Sequence, residues 1–279
     1  MRKIRSKNII EVVKSLCAQA NYELPKDVLK SLKMNLIYEK GIAKNILEEI
    51  IQNATIAKNE QIPLCQDTGT ANFFVNLGKD VYIDDGNIYN AINKGVSLGY
   101  ADNYLRKSIV FDPIERKNTK YNTPANIYVD IVSGDKIKIT FLPKGGGSEN
   151  ASTLKMLIPS IGWAGVKKFV LNVINDGSRN ACPPLIVGIG VGGDFASIGL
   201  LAKKALLRRI GSKNKNKFYD VKERELLTDI NKLNIGPMGI GGKTTALAVF
   251  IESKPTHIAS LPVAVCVQCH SCRRKTVII

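Results

Sequence analysis

The apolar residues of this chain follow two different periods, and the change between them limits the possible folds. Over residues 8–59 they recur every three to four positions, which predicts three amphipathic helices with breaks at Pro25 and Gly41. After residue 63, short strand-like runs alternate with helical stretches and glycine-bearing polar loops, and no repeat or linker divides the chain. The pattern predicts an α+β fold: a single mixed α/β domain over residues 1–279, with N-terminal helices, a central hairpin-containing sheet and site residues in loops.

The hairpin is predicted by two runs of alternating hydrophobicity, Ala125–Val132 and Lys136–Leu142, on either side of Ser133-Gly134-Asp135. A short connection that contains glycine favours antiparallel pairing of the strands that flank it. We therefore expect these two strands to be neighbours in the sheet.

The composition is that of a globular protein without membrane or export segments. The chain has 279 residues, 44% of them hydrophobic, but its apolar runs, such as Leu261–Val267, are far shorter than the roughly 18–20 residues of a membrane helix. The basic residues of Met1–Asn8 lead into an amphipathic stretch, not into a signal-peptide core. We therefore expect a cytoplasmic protein whose six cysteines are reduced and free for metal binding or chemistry.

The net charge of +16 raises the question of nucleic-acid binding. The densest basic run lies within residues 203–224, but only Phe218 and Tyr219 offer aromatic stacking there, and acidic residues follow at once. This arrangement favours a solvated charged surface, so nucleic acid is an unlikely partner and remains only an alternative. A basic chain also suits a small anionic substrate.

Three cysteines lie in loops of unusual composition and are candidate metal ligands. Cys65 precedes a polar turn that ends in glycine, Cys182 precedes two prolines, and Cys269 precedes a histidine. Three thiolates on a four-iron cluster leave one iron open, and an open iron is a Lewis acid. A shared metal site is therefore one interpretation, and three structural thiols are the other.

Two further motifs offer alternatives. Cys266 and Cys272 flank Cys269, so a local zinc site with His270 as fourth ligand stays open. The glycine loop Gly236–Gly242, which Lys243-Thr244 follow, looks like a phosphate-binding loop, but its spacing fails by one position and a helical stretch precedes it.

Seven motifs run along nearly the whole chain. They are Pro63–Gly69, Leu105–Val110 with Asp112-Pro113, Asn122–Ala125, Pro143–Asn150, Asn180–Pro184, Gly236–Gly242, and His257–Pro262 leading into Gln268–His270. In this order they resemble the alpha subunit, or N-terminal domain, of class I iron–sulfur fumarate hydratases and the related L(+)-tartrate dehydratases.

The resemblance implies a cofactor. Cys65, Cys182 and Cys269 would hold a [4Fe–4S] cluster with one open iron. The family pattern has a single cysteine before the histidine of the last motif, so Cys266 and Cys272 depart from it, although the alignment favours Cys269 as the ligand.

The resemblance also implies the residues of the substrate site. Gln66 and Asp67 would lie beside the substrate, Arg106 would bind one of its carboxylates, and a backbone amide near Gly146 would add a contact. His257 would pair with Asp67 close to the departing hydroxyl, so Asp67 and His257 are the expected catalytic residues. This agrees with elementary chemistry, because hydration of a dicarboxylate needs cations for the carboxylates and a base for a carbon-bound proton.

The implied activity is the reversible hydration of fumarate to (S)-malate, with dehydration of L(+)-tartrate to oxaloacetate as the close alternative. The resemblance also implies a second, smaller domain that contributes to substrate binding, and we expect that domain to be absent from this chain. A separate beta subunit is therefore expected to complete the site, in a dimer of alpha–beta pairs.

Overall fold

The structure is a computed structural model that describes residues 1–279, and it confirms the α+β class. The helices are α1 (Ser6–Tyr22), α2 (Lys26–Leu36), α3 (Gly41–Glu60), α4 (Ile88–Asp102), α5 (Gly146–Asn150), α6 (Gly162–Gly177), α7 (Ile198–Ala205) and α8 (Lys217–Asn231). The strands are β1 (Arg2–Ile4), β2 (Thr70–Gly78), β3 (Val81–Ile83), β4 (Asn126–Val132), β5 (Ile137–Lys144), β6 (Thr153–Leu157), β7 (Leu185–Gly193), β8 (Ala246–Thr256), β9 (Leu261–Gln268) and β10 (Lys275–Ile278). None of the helices combines the length and apolar character that a membrane span requires.

The three predicted N-terminal helices are present as α1, α2 and α3. On α1, Ile9, Val13, Leu16 and Ala20 are buried on one stripe, which is the face predicted from their spacing. The predicted breaks also hold, since Gly41 begins α3 in a left-handed conformation that glycine adopts without strain.

The chain divides into two compact units, and each is built from separated segments. The first unit contains Met1–Pro25, Ala54–Gly146 and Arg273–Ile279, and the second contains Lys26–Asn53 and Gly147–Cys272. Because the chain enters each unit more than once, no single linker separates them.

In the first unit, a four-stranded sheet of order β10-β5-β2-β4 shares a hydrophobic core with α1 and α4. The central strand β2 is buried over most of its length, including Phe73, Phe74 and Val75. Its polar Asn72 is buried as well, and the side-chain amide of Asn72 donates to the carbonyl of Thr70 at 2.9 Å.

The hairpin prediction is wrong in its pairing, although both of its strands exist. β4 pairs in parallel with β2, and β5 pairs antiparallel with the other edge of β2, so β2 lies between them. The turn at residues 133–135 passes around the end of β2, where the N–H of Gly78 donates to Lys136 and that of Asp80 donates to Gly134. The turn therefore joins two strands that β2 separates.

In the second unit, a four-stranded sheet of order β6-β9-β7-β8 is covered by helices on both faces. Val187, Ile189 and Val191 of β7 point into the core formed with α6 and α8. The alternate residues Gly188 and Gly190 lie against the backbone of α7, where a Cβ would come within 3 Å of a carbonyl oxygen. The glycines of β7 therefore let α7 pack closely on this sheet.

Candidate functional site

The loop between α3 and β2 carries three of the predicted site residues, and hydrogen bonds fix it along its length. The N–H of Leu64 donates to Asn21 at 2.8 Å, and the hydroxyl of Thr68 donates to the carbonyl of Arg106 at 2.9 Å. The buried hydroxyl of Tyr100 donates to the carbonyl of Thr68 at 2.9 Å. The loop is thus held rigidly while Cys65, near its start, is exposed.

Asp67 lies at the centre of this loop and accepts two backbone hydrogen bonds. Its Oδ1 accepts from the N–H of Gly69 at 3.0 Å, and its Oδ2 accepts from the N–H of Gly146 at 2.7 Å. The Asp67 side chain therefore stabilises the turn that leads into β2. Gly145 must lack a side chain, because a Cβ there would lie 2.8 Å from Oδ2.

Below the loop, a buried arginine that the sequence analysis did not assign holds the Asp67 backbone. Arg273 donates to the carbonyl of Asp67 at 2.9 Å and to the side chain of Asn21 at 2.8 Å, and it is 1% exposed. One signal could have indicated this contact: Asn21 follows Cys17 by one turn on the apolar stripe of α1, where a polar side chain needs a buried partner.

Arg106 and the start of the loop line one cavity of about 520 Å³. Cys65, Gln66 and Arg106 all face it, as do Thr68 and Tyr104. Arg106 is exposed and forms no ion pair, so its planar fork of N–H donors is available to a carboxylate. Of the residues predicted to bind substrate, Gln66 and Arg106 line this cavity, whereas Asp67 and Gly146 contact each other and are not among its lining residues.

In the second unit, the segments that contain Cys182 and Cys269 lie side by side. Cys182 ends a short helical turn before β7 in a left-handed conformation (φ 51°), and its carbonyl accepts from the backbone N–H of His270 at 3.3 Å. The Nδ1 of His270 lies 3.0 Å from the same carbonyl, which assigns its proton to Nδ1. Since Cys269 precedes His270, these contacts bring two of the three predicted cluster ligands onto adjoining segments.

Burial divides the six cysteines into two groups. Cys65 is exposed, Cys182 and Cys269 are half-buried, and the remaining cysteines are buried: Cys17, Cys266 and Cys272. Burial raises the pKa of the Cys17 thiol far above its usual range, so Cys17 is a core thiol that disfavours the thiolate form. The accessible thiols are the three that were predicted as ligands.

The glycine loop that follows α8 does not have the geometry of a phosphate site. The backbone N–H groups of Lys243 and Thr244 both donate to the buried carboxylate of Glu39, at 3.1 and 2.6 Å. At its other end, the N–H of Met238 donates to the carbonyl of Pro183 at 2.8 Å. The loop therefore supports the Cys182 segment, and Glu39, which the sequence analysis missed, takes the place that an anion would occupy.

His257 lies far from the cysteines of its own unit. It occupies the turn between β8 and β9, where it is exposed and its Nδ1 accepts from the N–H of Ala259 at 3.1 Å. Cys269 follows the other end of β9, an eight-residue strand whose length is about 26 Å. The structure thus separates His257 from Cys182 and Cys269 by the length of a strand.

The two alternatives from another functional class gain no geometric support. No group of three or more His, Cys, Asp or Glu side chains is placed to hold a metal ion in the structure, and this applies equally to the local zinc alternative and to the predicted cluster ligands Cys65, Cys182 and Cys269. Within the basic run, four cations are ion-paired to carboxylates of this chain: Lys203, Arg208, Lys222 and Arg224. These pairs agree with a solvated charged surface.

Comparisons with known proteins extend over both units. A family model described as fumarate hydratase (Fumerase) matches residues 10–278. A Methanocaldococcus jannaschii protein named "Putative L(+)-tartrate dehydratase subunit alpha" is 44% identical over 273 residues, which is 95% of each chain. The L(+)-tartrate dehydratase subunit alpha of Escherichia coli O157:H7 is 32% identical over 97% of this chain and 90% of its own. That of Escherichia coli UTI89 is 33% identical over 96% of this chain and 89% of its own.

Proposed function

Because the chain belongs to the fumarate hydratase (Fumerase) family of hydro-lyases, we propose that it is the alpha subunit of an iron–sulfur enzyme that hydrates fumarate reversibly to (S)-malate. The observation that carries the proposal is the cavity in the first unit, where an exposed thiol, an amide and an unpaired guanidinium meet on a rigid loop: Cys65, Gln66 and Arg106. Its volume is in the range of small-molecule sites, and its arginine matches a carboxylate.

We propose that Cys65, Cys182 and Cys269 hold a [4Fe–4S] cluster. The donor set fits, because these are the three thiols that burial leaves accessible, and soft thiolates are the ligands that iron–sulfur clusters take. When bound, a cluster with only three protein ligands would supply a Lewis acid for the substrate hydroxyl.

In this proposal the chain's own residues bind and orient the dicarboxylate. Arg106 binds one carboxylate through two parallel hydrogen bonds, and the exposed amide of Gln66 adds a neutral contact. The N–H of Gly146 already binds a carboxylate oxygen, that of Asp67, at 2.7 Å, so it has the geometry of an anion donor. Two backbone N–H groups fix the Asp67 carboxylate, and its remaining lone pairs can accept a proton at the reacting centre.

His257 requires a different arrangement from the one the resemblance suggested. If Cys182 and Cys269 bind the cluster, His257 of the same chain lies about a strand length of 26 Å away from them. We therefore propose that His257 transfers its proton in the site of a second copy of the chain, within the dimer of alpha–beta pairs. Its Nε2 is the atom available for that transfer, because Nδ1 is occupied by Ala259.

Mixed dimers test this arrangement. When His257→Ala and Asp67→Ala chains are co-expressed, about half of randomly paired dimers contain one of each, and each such dimer has one intact site if His257 acts across copies. The mixture should recover about a quarter of wild-type activity, whereas either variant alone is inactive. Recovery of no activity from verified mixed dimers would show that His257 does not act in this way.

A smaller beta subunit is proposed to supply the second domain. The relatives are named as alpha subunits, and this chain covers 89–95% of their lengths. The names of these relatives also favour a second candidate function, dehydration of L(+)-tartrate to oxaloacetate, which uses the same four-carbon diacid with one more hydroxyl.

The cluster and the substrate are tested in two steps. Anaerobic reconstitution with iron and sulfide should give a brown protein, and Cys65→Ser, Cys182→Ser or Cys269→Ser should each lower its iron and sulfide content. Cys272→Ala is the matched control, because its thiol is next to the same segment but buried. Iron content that no ligand variant alters would refute the cluster. Assays of the reconstituted alpha–beta pair with fumarate and with L(+)-tartrate then identify the substrate.

A further inference from the structure

A second cavity, of about 600 Å³, lies within the second unit and includes none of the residues discussed above as candidate ligands or catalytic groups. Its walls are α2, the loop at residues 210–213, α8 and residues 247–250 of β8. Its volume falls within the range of natural small-molecule sites, and the residues around it include part of the basic run of the sequence.

The floor of this cavity is the free edge of a strand. β8 pairs only with β7, so its other edge has no strand partner. At Ile251 the backbone groups on this edge form hydrogen bonds with side chains. The N–H of Ile251 donates to Glu223 and its carbonyl accepts from Asn214, both at 2.8 Å. Because the backbone groups of every second residue in a strand face the same edge, the N–H and carbonyl of Val249 face this edge too. Val249 lines the cavity beside Leu247. The floor therefore combines apolar side chains with the backbone edge of β8.

Two of the cations that line the cavity form no ion pair. The three acids of the lining accept hydrogen bonds within the protein: Glu223 from Arg208, Asp220 from Arg224, and Asp27 from the N–H of Ile210. In contrast, two exposed lysines of the lining, Lys30 and Lys213, form no ion pair. An anion that enters this opening therefore meets two ammonium groups that can bind it directly.

We propose that this cavity binds a small organic anion with an apolar body, of the class of medium-chain carboxylates. The apolar part packs on Leu247, Val249 and Leu227, and the carboxylate faces Lys30 and Lys213. The proposal is independent of the hydro-lyase function, because it uses none of the candidate catalytic residues or cluster ligands.

The test is titration of the full chain with octanoate, followed by isothermal calorimetry and by methyl NMR of labelled Met, Leu and Val. We expect one saturable site, with shifts at Met34, Leu247 and Val249. The neutral probe 1-octanol should bind at least about tenfold more weakly, because it lacks the charge-assisted contacts.

Charge-matched variants locate the anion. Lys30→Ala/Lys213→Ala should weaken octanoate binding about tenfold or more. Lys33→Ala/Lys215→Ala, which removes the same charge from the same helix and loop outside the cavity, should stay within about twofold. All four lysines are exposed, so folding is not at risk.

Absence of saturable binding, shifts at methyl groups elsewhere, or an equal loss in both double variants would overturn the proposal. Equal binding of octanoate and 1-octanol would overturn its anionic part, and that comparison depends on no variant.

Discussion

Replacement of Arg273 tests the idea that this residue positions the catalytic loop without stabilising the fold. Its guanidinium is 1% exposed, both of its hydrogen-bond partners are neutral oxygens, and its Nε has no partner. Arg273→Met keeps most of the side-chain volume and removes the charge, whereas Arg273→Lys keeps the charge and loses the fork.

For Arg273→Met, two opposing contributions to the free energy of unfolding nearly cancel. Two hydrogen bonds to a charged group contribute about 3–6 kcal/mol together. The effective cost of burying an ion without a charged partner is also several kcal/mol, and the methionine no longer incurs it. We therefore expect the free energy of unfolding of Arg273→Met to lie within about 2 kcal/mol of the wild-type value.

Arg273→Lys should be the less stable variant, by roughly 3–5 kcal/mol relative to wild type. An ammonium is more strongly hydrated than a guanidinium and cannot reach Asn21 and the Asp67 carbonyl together, so a buried charge remains with fewer partners. Chemical denaturation of both variants measures the difference.

In Arg273→Met, the loss of activity should be much larger than the loss of stability. Without Arg273 the carbonyl of Asp67 loses its buried donor, and a displacement of about 1 Å at a reacting group can cost about 10²-fold in rate. For Arg273→Met we expect a large fall in kcat of the assembled enzyme and faster hydrogen exchange in residues 64–69. The reasoning is refuted if Arg273→Lys is more stable than Arg273→Met, or if the methionine variant leaves both kcat and exchange unchanged.

Three further substitutions have expected outcomes of their own. Gly69→Ala should lower stability by about 1–3 kcal/mol in urea denaturation, because φ is +75° and a Cβ would lie 2.7 Å from the backbone of Lys144. Glu39→Gln should cost about 1–3 kcal/mol in the same assay, because one of the two N–H groups in the glycine loop loses its acceptor; an unchanged midpoint would contradict this. Hydrogen bonds from Lys167 and a second lysine lower the pKa of Glu225 from 4.5 to about 2, so its stabilising contribution is present above pH 4.5 and is lost as the pH falls toward 2. Between these values the melting temperature of wild type should fall more steeply than that of Glu225→Gln, and parallel curves would show that Glu225 contributes nothing.

The local structure of the first unit's loop could be predicted from the sequence because it depends on neighbours along the chain. Cys65, Gln66 and Asp67 lie between an α-helix and a strand, with a glycine two positions after the aspartate to close the turn. Local composition predicts such a loop and its polar, exposed character. The donors beneath it come from residues that are distant in the chain, such as Tyr100 and Arg273, and no periodicity joins them to residue 67.

The pairing of strands failed for a related reason. The turn at residues 133–135 has hairpin chemistry, but β2, a strand about 50 residues earlier in the chain, pairs with both β4 and β5 and lies between them. Turn residues specify that the chain reverses direction. Whether another strand lies between the two strands that the turn joins depends on strand pairing in the whole sheet.

The distance between His257 and Cys269 depends on the strand that lies between them. β9, Leu261–Gln268, has ends about 26 Å apart, with His257 before one end and Cys269 after the other. A strand of that length keeps the two residues apart within one chain, which is why the proposal assigns His257 to the site of a second copy. The mixed-dimer experiment is therefore a test of strand geometry as much as of catalysis.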